Sequence, residues 1–70
     1  MRLVFSKHAA KRLFERGISM RDITLTIEKP DYRVVRGNEI EAYKKFSGET
    51  LKVVHVKIES FIKVITVVII

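Results

Sequence analysis

The fold of this chain is decided near its start, at residues 6–17, which read SKHAAKRLFERG. Ser6 carries a hydroxyl of the kind that caps a helix N-terminus, and Gly17 is the residue that most readily ends a helix in a left-handed conformation. Between them we expect a helix with one apolar face that points toward the core. The residues assigned to that face are Ala9, Ala10, Leu13 and Phe14. The stretch therefore predicts an amphipathic first helix.

The rest of the chain predicts a second helix followed by strands. Ser19 is a good N-cap, Asp22 follows it three residues later, and Pro30 should end the helix. Beyond Pro30 the apolar period changes from 3.6 to 2, which is typical of strands. Strands are expected at residues 2–5, 32–35, 40–46, 51–59 and 61–70. The chain is thus predicted to be an α+β domain of order β-α-α-β-β-β-β, with both helices on one face of a twisted antiparallel sheet.

The strand at residues 51–59 alternates strictly, so its two faces should differ. The set predicted to lie beneath the helices is Val54, Val56 and Ile58; the set predicted to face away from them is Val53, His55 and Lys57. The last strand is apolar on both faces except for Lys63 and Thr66. We therefore expect it to be central in the sheet or buried in a homodimer.

Length and composition restrict the class of protein. Seventy residues form one domain, spanning residues 1–70. The absence of cysteine excludes disulfides and thiolate metal sites, which fits a cytoplasmic location. We see no signal peptide, because charged residues return within the first eight positions, and no apolar run approaches the roughly 20 residues that cross a bilayer. The expectation is a cytoplasmic protein with no membrane partner.

The charge balance favours a polyanionic partner. Fourteen Lys and Arg against eight Asp and Glu give a net charge of +6. On so small a domain this is a strong positive field, which favours RNA or DNA. The alternative is that the charge serves solubility alone.

The first helix carries the best candidate site. His8, Arg12 and Arg16 recur at i, i+4 and i+8, so they form one stripe, and Lys7 and Lys11 lie beside it. Guanidinium groups can hold phosphate oxygens bidentately, and an imidazole can transfer a proton near neutral pH. The alternative is structural: His8 bonds to a neighbouring backbone, and the arginines pair with carboxylates such as Glu15.

Other candidates lie on the strands. His55 and Lys57 could extend a basic patch, Tyr43 and Tyr32 could stack on bases, and Thr66 could position a phosphate. Each has an ordinary structural alternative, such as cross-strand packing. We expect no metal and no cofactor, since the two histidines are far apart in sequence and no glycine-rich phosphate loop is present.

The N-terminal stretch also resembles a known family. Residues 6–18 match the pattern S-x-H-A-x-x-R-x-x-x-R-G-I with which members of the domain-of-unknown-function 4258 family begin. Pro30 after the second helix and the final KVITV at residues 63–67 are similar as well. The resemblance implies kinship with RelE-like and BrnT-like toxin ribonucleases, which need no metal. It places the family's polar positions at His8, Arg12, Arg16 and Thr66, although the chain is short for a RelE-like toxin.

These observations together predict a toxin-like, metal-independent endoribonuclease that acts on RNA. The first alternative is a non-catalytic RNA-binding module that uses the same basic face. The second is a protein-interaction domain. Expected partners are RNA, a cognate antitoxin protein and a second copy of the chain in a homodimer.

Overall fold

The structure is a computed structural model that describes residues 2–70, with two helices and five strands. The elements in chain order are β1 (Leu3–Phe5), α1 (Lys7–Arg16), α2 (Met20–Glu28), β2 (Tyr32–Arg36), β3 (Glu39–Phe46), β4 (Glu49–Ile58) and β5 (Phe61–Ile69). The predicted α+β class and the order β-α-α-β-β-β-β are confirmed. The strand bounds agree with the predicted ones to within two residues.

The five strands form one sheet in the order β1-β5-β4-β3-β2. Strands β2 to β5 are antiparallel, because each is joined to the next by a short turn. Strand β1 pairs parallel with β5. The sheet is therefore mixed, whereas the sequence predicted a wholly antiparallel sheet. The reason is the connection: the two helices separate β1 from the hairpins and leave its direction free. Strand β5 lies between β1 and β4, which confirms that it is an inner strand.

Both helices begin and end at the predicted residues. The Ser6 hydroxyl accepts a hydrogen bond from the backbone N–H of Ala9 at 3.0 Å, and the Ser19 hydroxyl accepts one from Asp22 at 3.1 Å. Gly17 ends α1 with a φ of 63°, a left-handed value that costs glycine little. Local capping chemistry therefore sets the ends of α1 and the start of α2.

The core lies between the helices and the sheet face that contains Val53 and Val64, both fully buried. Val53 pairs with Val67, so the odd-numbered residues of β4 face the helices. This corrects the predicted register, which placed Val54, Val56 and Ile58 there. The error arose because β4 is apolar on both faces at its centre, while His55 and Lys57 suggested a solvent face.

The apolar face of α1 is narrower than expected. Ala9 is fully buried and Leu13 packs against the core, as predicted. Ala10 is exposed and Phe14 is 88% exposed, so both were placed wrongly. Helix α1 contacts mainly β5 and β1 at one side of the sheet, and only a thin stripe of its surface meets the core.

Candidate nucleic-acid interface

Helix α1 presents a row of cations. Its ten residues contain two lysines, two arginines, one histidine and a single carboxylate, Glu15. In the part of the chain that the structure describes, the ion pairs are Arg36–Glu41 and Lys44–Asp31, neither of them on α1. The positive charge of α1 is therefore not neutralised within the domain.

The predicted stripe of His8, Arg12 and Arg16 is intact on this helix. His8 and Arg16 are exposed, while Arg12 is partly buried beside the core-facing Leu13. Successive members are one helical turn apart, about 6 Å along the axis. Among residues 2–70 none of the three forms a side-chain hydrogen bond that would hold it in a structural role.

Lys7 and Lys11 extend the stripe into a broader basic face. Both are exposed and lie one turn apart. The exposed aromatic ring of Phe14 is on the next turn of the same side of the helix. This face therefore combines cations with an aromatic surface, which suits a nucleic acid better than a small anion.

Thr66 does not join the stripe. It pairs with Val54 across β4 and β5, on the sheet face opposite the helices. The structure separates it from His8 by the thickness of the sheet. The hydroxyl that does contact the start of α1 belongs to Ser6, which donates a hydrogen bond to the carbonyl oxygen of Ile65 at 2.8 Å. The sequence signal for Ser6 was its capping role alone.

His55 and Lys57 lie on the helix-covered face of the sheet. His55 is only 2% exposed, and no side-chain or backbone group of residues 2–70 forms a hydrogen bond with its Nδ1 atom. Burial lowers the pKa of His55, and the nearby cations Lys57 and Arg33 lower it further, although a contact with the backbone of Val53 opposes the shift. Lys57 is exposed at the end of β4. His55 is thus a buried imidazole that offers no surface to a ligand, whereas Lys57 does.

Tyr43 is stacked on another tyrosine. The rings of Tyr32 and Tyr43 lie 4.5 Å apart at an angle of 9°, and Lys52 Nζ lies 5.8 Å from the centre of the Tyr43 ring on its other side. Of the two rings predicted to stack on bases, that of Tyr43 is therefore covered by Tyr32 and Lys52, and that of Tyr32 is exposed. Lys52 was not singled out in the sequence.

A small cleft of about 200 Å³ lies where α1 meets α2. Its lining includes Arg16 and Gly17 at the end of α1, Ser19 and Asp22 at the start of α2, and Glu49 at the start of β4. Two carboxylates beside one guanidinium make this cleft a poor site for an anion. It is a boundary of the basic face of α1 rather than its centre.

A family model described as a domain of unknown function (DUF4258) matches residues 5–69. The chain belongs to this family. The resemblance seen in the N-terminal pattern is thereby confirmed. No curated protein and no solved structure matches the chain significantly.

The site of this DUF4258 domain has to be interpreted from its own residues, since the family description names no activity. The match includes α1, so the stripe belongs to the shared part of the chain. Within residues 2–70 no group of three or more His, Cys, Asp or Glu side chains could hold a metal ion. Neither helix is long and apolar enough to cross a membrane.

Proposed function

We propose that this DUF4258 domain binds RNA through the exposed basic face of α1. The observation that supports this most strongly is the set of four Lys and Arg side chains on ten residues, none of which forms an ion pair in the described part of the chain. Phosphates would replace the counterions that such a helix must otherwise attract. A positive charge that served solubility alone would not need to be concentrated on one helix.

A narrower proposal is that the domain also cleaves RNA without a metal ion, as RelE-like and BrnT-like toxins do. The observation that favours it is the alignment of an exposed His8 with Arg12 and Arg16. In such a step the RNA 2′-oxygen attacks the adjacent phosphorus and the bond to the 5′-oxygen breaks. His8 would accept the 2′-hydroxyl proton, and water would protonate the 5′-oxygen.

The two arginines would have a distinct part in that reaction. A guanidinium can hold two non-bridging oxygens of the phosphate and stabilise the charge that develops on them. Arg12 suits this part best because its stem is partly buried and so restricts its motion. Thr66 is left out of the proposed site, since it lies on the opposite face of the sheet.

The proposed partners follow from the same surface. An antitoxin that inhibits the domain would have to cover α1 and would need carboxylates opposite Lys7 and Lys11. The domain would encounter both RNA and such an antitoxin in the cytoplasm. They would compete for one helix.

The test uses a fluorescein-labelled single-stranded RNA in buffer with EDTA, and DNA of the same sequence. We expect wild type to bind both and to cleave only the RNA, because DNA lacks the attacking 2′-hydroxyl. His8→Ala should keep the affinity and lose at least 100-fold in cleavage rate. Arg12→Lys should cleave the RNA more slowly than wild type although it keeps the positive charge, because an ammonium group lacks the bidentate geometry of a guanidinium group.

Arg21→Gln is the matched control, since Arg21 is an exposed cation on α2. It should bind and cleave as wild type does. Binding without any cleavage would reject the nuclease and leave an RNA-binding module. Equal losses in the Arg21 and Arg12 variants would contradict the assignment to α1.

A further inference from the structure

Three side chains form a row across the sheet face that the helices leave open. Tyr32 on β2 stacks on Tyr43 on β3, and Lys52 on β4 lies over the other side of the Tyr43 ring. The strand register aligns them, since Tyr32 pairs with Tyr43 and Tyr43 with Lys52. We refer to these three residues as the tyrosine ladder.

The ladder has a free end. Both sides of the Tyr43 ring are occupied, but β2 is an edge strand, and within residues 2–70 no further strand continues the row beyond Tyr32. The Tyr32 side chain is accordingly 58% exposed. A flat aromatic surface of this kind can accept one further ring, at the same spacing as the ring already stacked on its inner side.

The ladder is held in place by hydrogen bonds. Tyr43 donates its hydroxyl to Glu41 Oε1 at 3.2 Å, and Arg36 Nε contacts Glu41 Oε2 at 3.1 Å. The Glu41 carboxylate is therefore paired with the Arg36 guanidinium, and it is mostly covered. The Arg36 side chain remains 69% exposed and can contact a further anion.

The open face is also positively charged. The strand register places five cations on it and two carboxylates, Glu39 and Glu41. The cations are Arg2, Arg36, Lys45, Lys52 and Lys63. An anionic ligand that carries flat rings matches both properties of this face, and a single-stranded nucleic acid is such a ligand.

We propose that the open sheet face is a second RNA-binding surface, where an unpaired base stacks on the outer side of Tyr32. A phosphate next to that base would contact Arg36, and a phosphate farther along the strand would contact Lys52 on the far side of Tyr43. This inference rests on the proposed function in one respect, that the polyanion is RNA. It concerns the face opposite α1 and requires a single strand, because bases within a duplex are not free to stack on a side chain.

The composition of the chain permits a direct test. Tyr32 and Tyr43 are its two tyrosines and it has no tryptophan, so its tyrosine emission reports on the ladder alone. We expect titration with a single-stranded oligouridylate to quench this emission. A duplex RNA of equal charge should bind to α1, as followed by anisotropy of a labelled strand, with little quenching.

Variants of Tyr32 separate stacking from folding. Tyr32→Leu should weaken single-strand binding about tenfold, within the range measured for base stacking, and Tyr32→Phe should remain within about twofold of wild type. Val35→Thr is the matched control, because Val35 is exposed on the same strand but on the other face. It should bind as wild type does. All variants should keep the wild-type circular dichroism spectrum, since both positions are exposed.

Three results would overturn the proposal. The first is wild-type affinity in Tyr32→Leu together with a loss of affinity when Lys7 and Lys11 of α1 are both changed to Gln, which would leave the proposed function standing. The second is binding without quenching. The third is emission that changes with protein concentration in the absence of RNA, which would show a second copy of the chain on the ladder. If Tyr32→Leu lowers the affinity for single-stranded RNA and the α1 variants do not, the α1 site is rejected and the open face is supported.

Discussion

At the scale of single residues, His55 shows how burial reverses the expected role of a side chain. Its place in an alternating strand predicted a side chain in a solvent-facing basic patch. In the structure His55 is 2% exposed and lies on the helix side of β4. An imidazole can occupy a core because it is neutral at moderate pH. Burial, and after it the nearby cations Lys57 and Arg33, lower the pKa of His55 and so make the protonated form unfavourable in the folded state.

A pH dependence of stability follows from this burial. Since the pKa of His55 is lowered in the folded state from 6.5, the unfolded chain binds the proton first as the pH falls. The free energy of unfolding should therefore decrease from pH 7.5 to 5.5, above the range where ordinary carboxylates titrate. Denaturation in urea at the two pH values measures it.

Two variants complete this experiment. His55→Leu should reduce the difference between the two pH values, because the buried titrating group is gone. Val53→Ala should lower stability at both pH values and keep the wild-type difference, since it removes only apolar contacts. An unchanged difference in His55→Leu would contradict the account.

Leu13 and Phe14 are neighbours with opposite environments. Leu13 packs against the core cluster, whereas Phe14 is 88% exposed. We expect Leu13→Ala to cost about 1–2 kcal/mol and Phe14→Ala to stay within about 0.5 kcal/mol. Urea denaturation of both variants checks this. A larger loss for Phe14→Ala would mean that its ring is covered in solution.

At the scale of elements, Ser6 joins three parts of the fold. Its hydroxyl accepts from Ala9 at the start of α1 and donates to the carbonyl oxygen of Ile65. The pairing of β4 with β5 is irregular at this point, because Val54 pairs with Thr66 while His55 pairs with Val64. Ile65 is thus the extra residue of a bulge, and Ser6 ties the helix to it.

Comparison of the two N-caps tests this double role. Ser6→Ala should cost about 2 kcal/mol, because it loses the cap and the bond to Ile65 together. Ser19→Ala should cost about 1 kcal/mol, since Ser19 is an exposed cap with one such bond. Equal costs in thermal or urea unfolding would show that the contact with Ile65 adds nothing.

The ends of the elements could be predicted from sequence, but the packing of their faces could not. Ser6, Gly17, Ser19 and Pro30 act through local chemistry, and the structure confirms each. The orientation of β4 depends on which side the helices cover, and its central valines fit either side equally well. The parallel pairing of β1 depends on contacts between distant segments, which no local pattern encodes. The position of Tyr32 beside Tyr43, in contrast, follows from the short turn that joins β2 to β3.

At the scale of the whole molecule, the two surfaces of interest are on opposite sides of the sheet. The basic face of α1 is on one side, and the tyrosine ladder is on the other. The stripe of His8, Arg12 and Arg16 could be predicted because it lies on one helix. The family resemblance grouped Thr66 with this stripe, but the structure places Thr66 on the opposite face of the sheet. Which face of β5 a residue occupies is set by the packing of the whole sheet.

Self-association stays a prediction. A small domain without disulfides gains stability from burying more surface, and exposed apolar residues remain at Val35, Ile58 and Ile70. We expect a homodimer in sedimentation at high micromolar concentration in the absence of RNA. A monomer mass under those conditions would contradict it.

The salt dependence of RNA affinity shows whether the cations of α1 hold the RNA. Lys7→Gln with Lys11→Gln removes two cations from α1, and Arg21→Gln with Lys29→Gln removes two exposed cations from α2 and the residue that follows it. We expect the α1 pair to bind single-stranded RNA more weakly, with a slope of log affinity against log salt that is shallower by about 1.4. The α2 pair should keep the wild-type slope. Equal slopes for the two pairs, or an affinity that salt does not change, would contradict it.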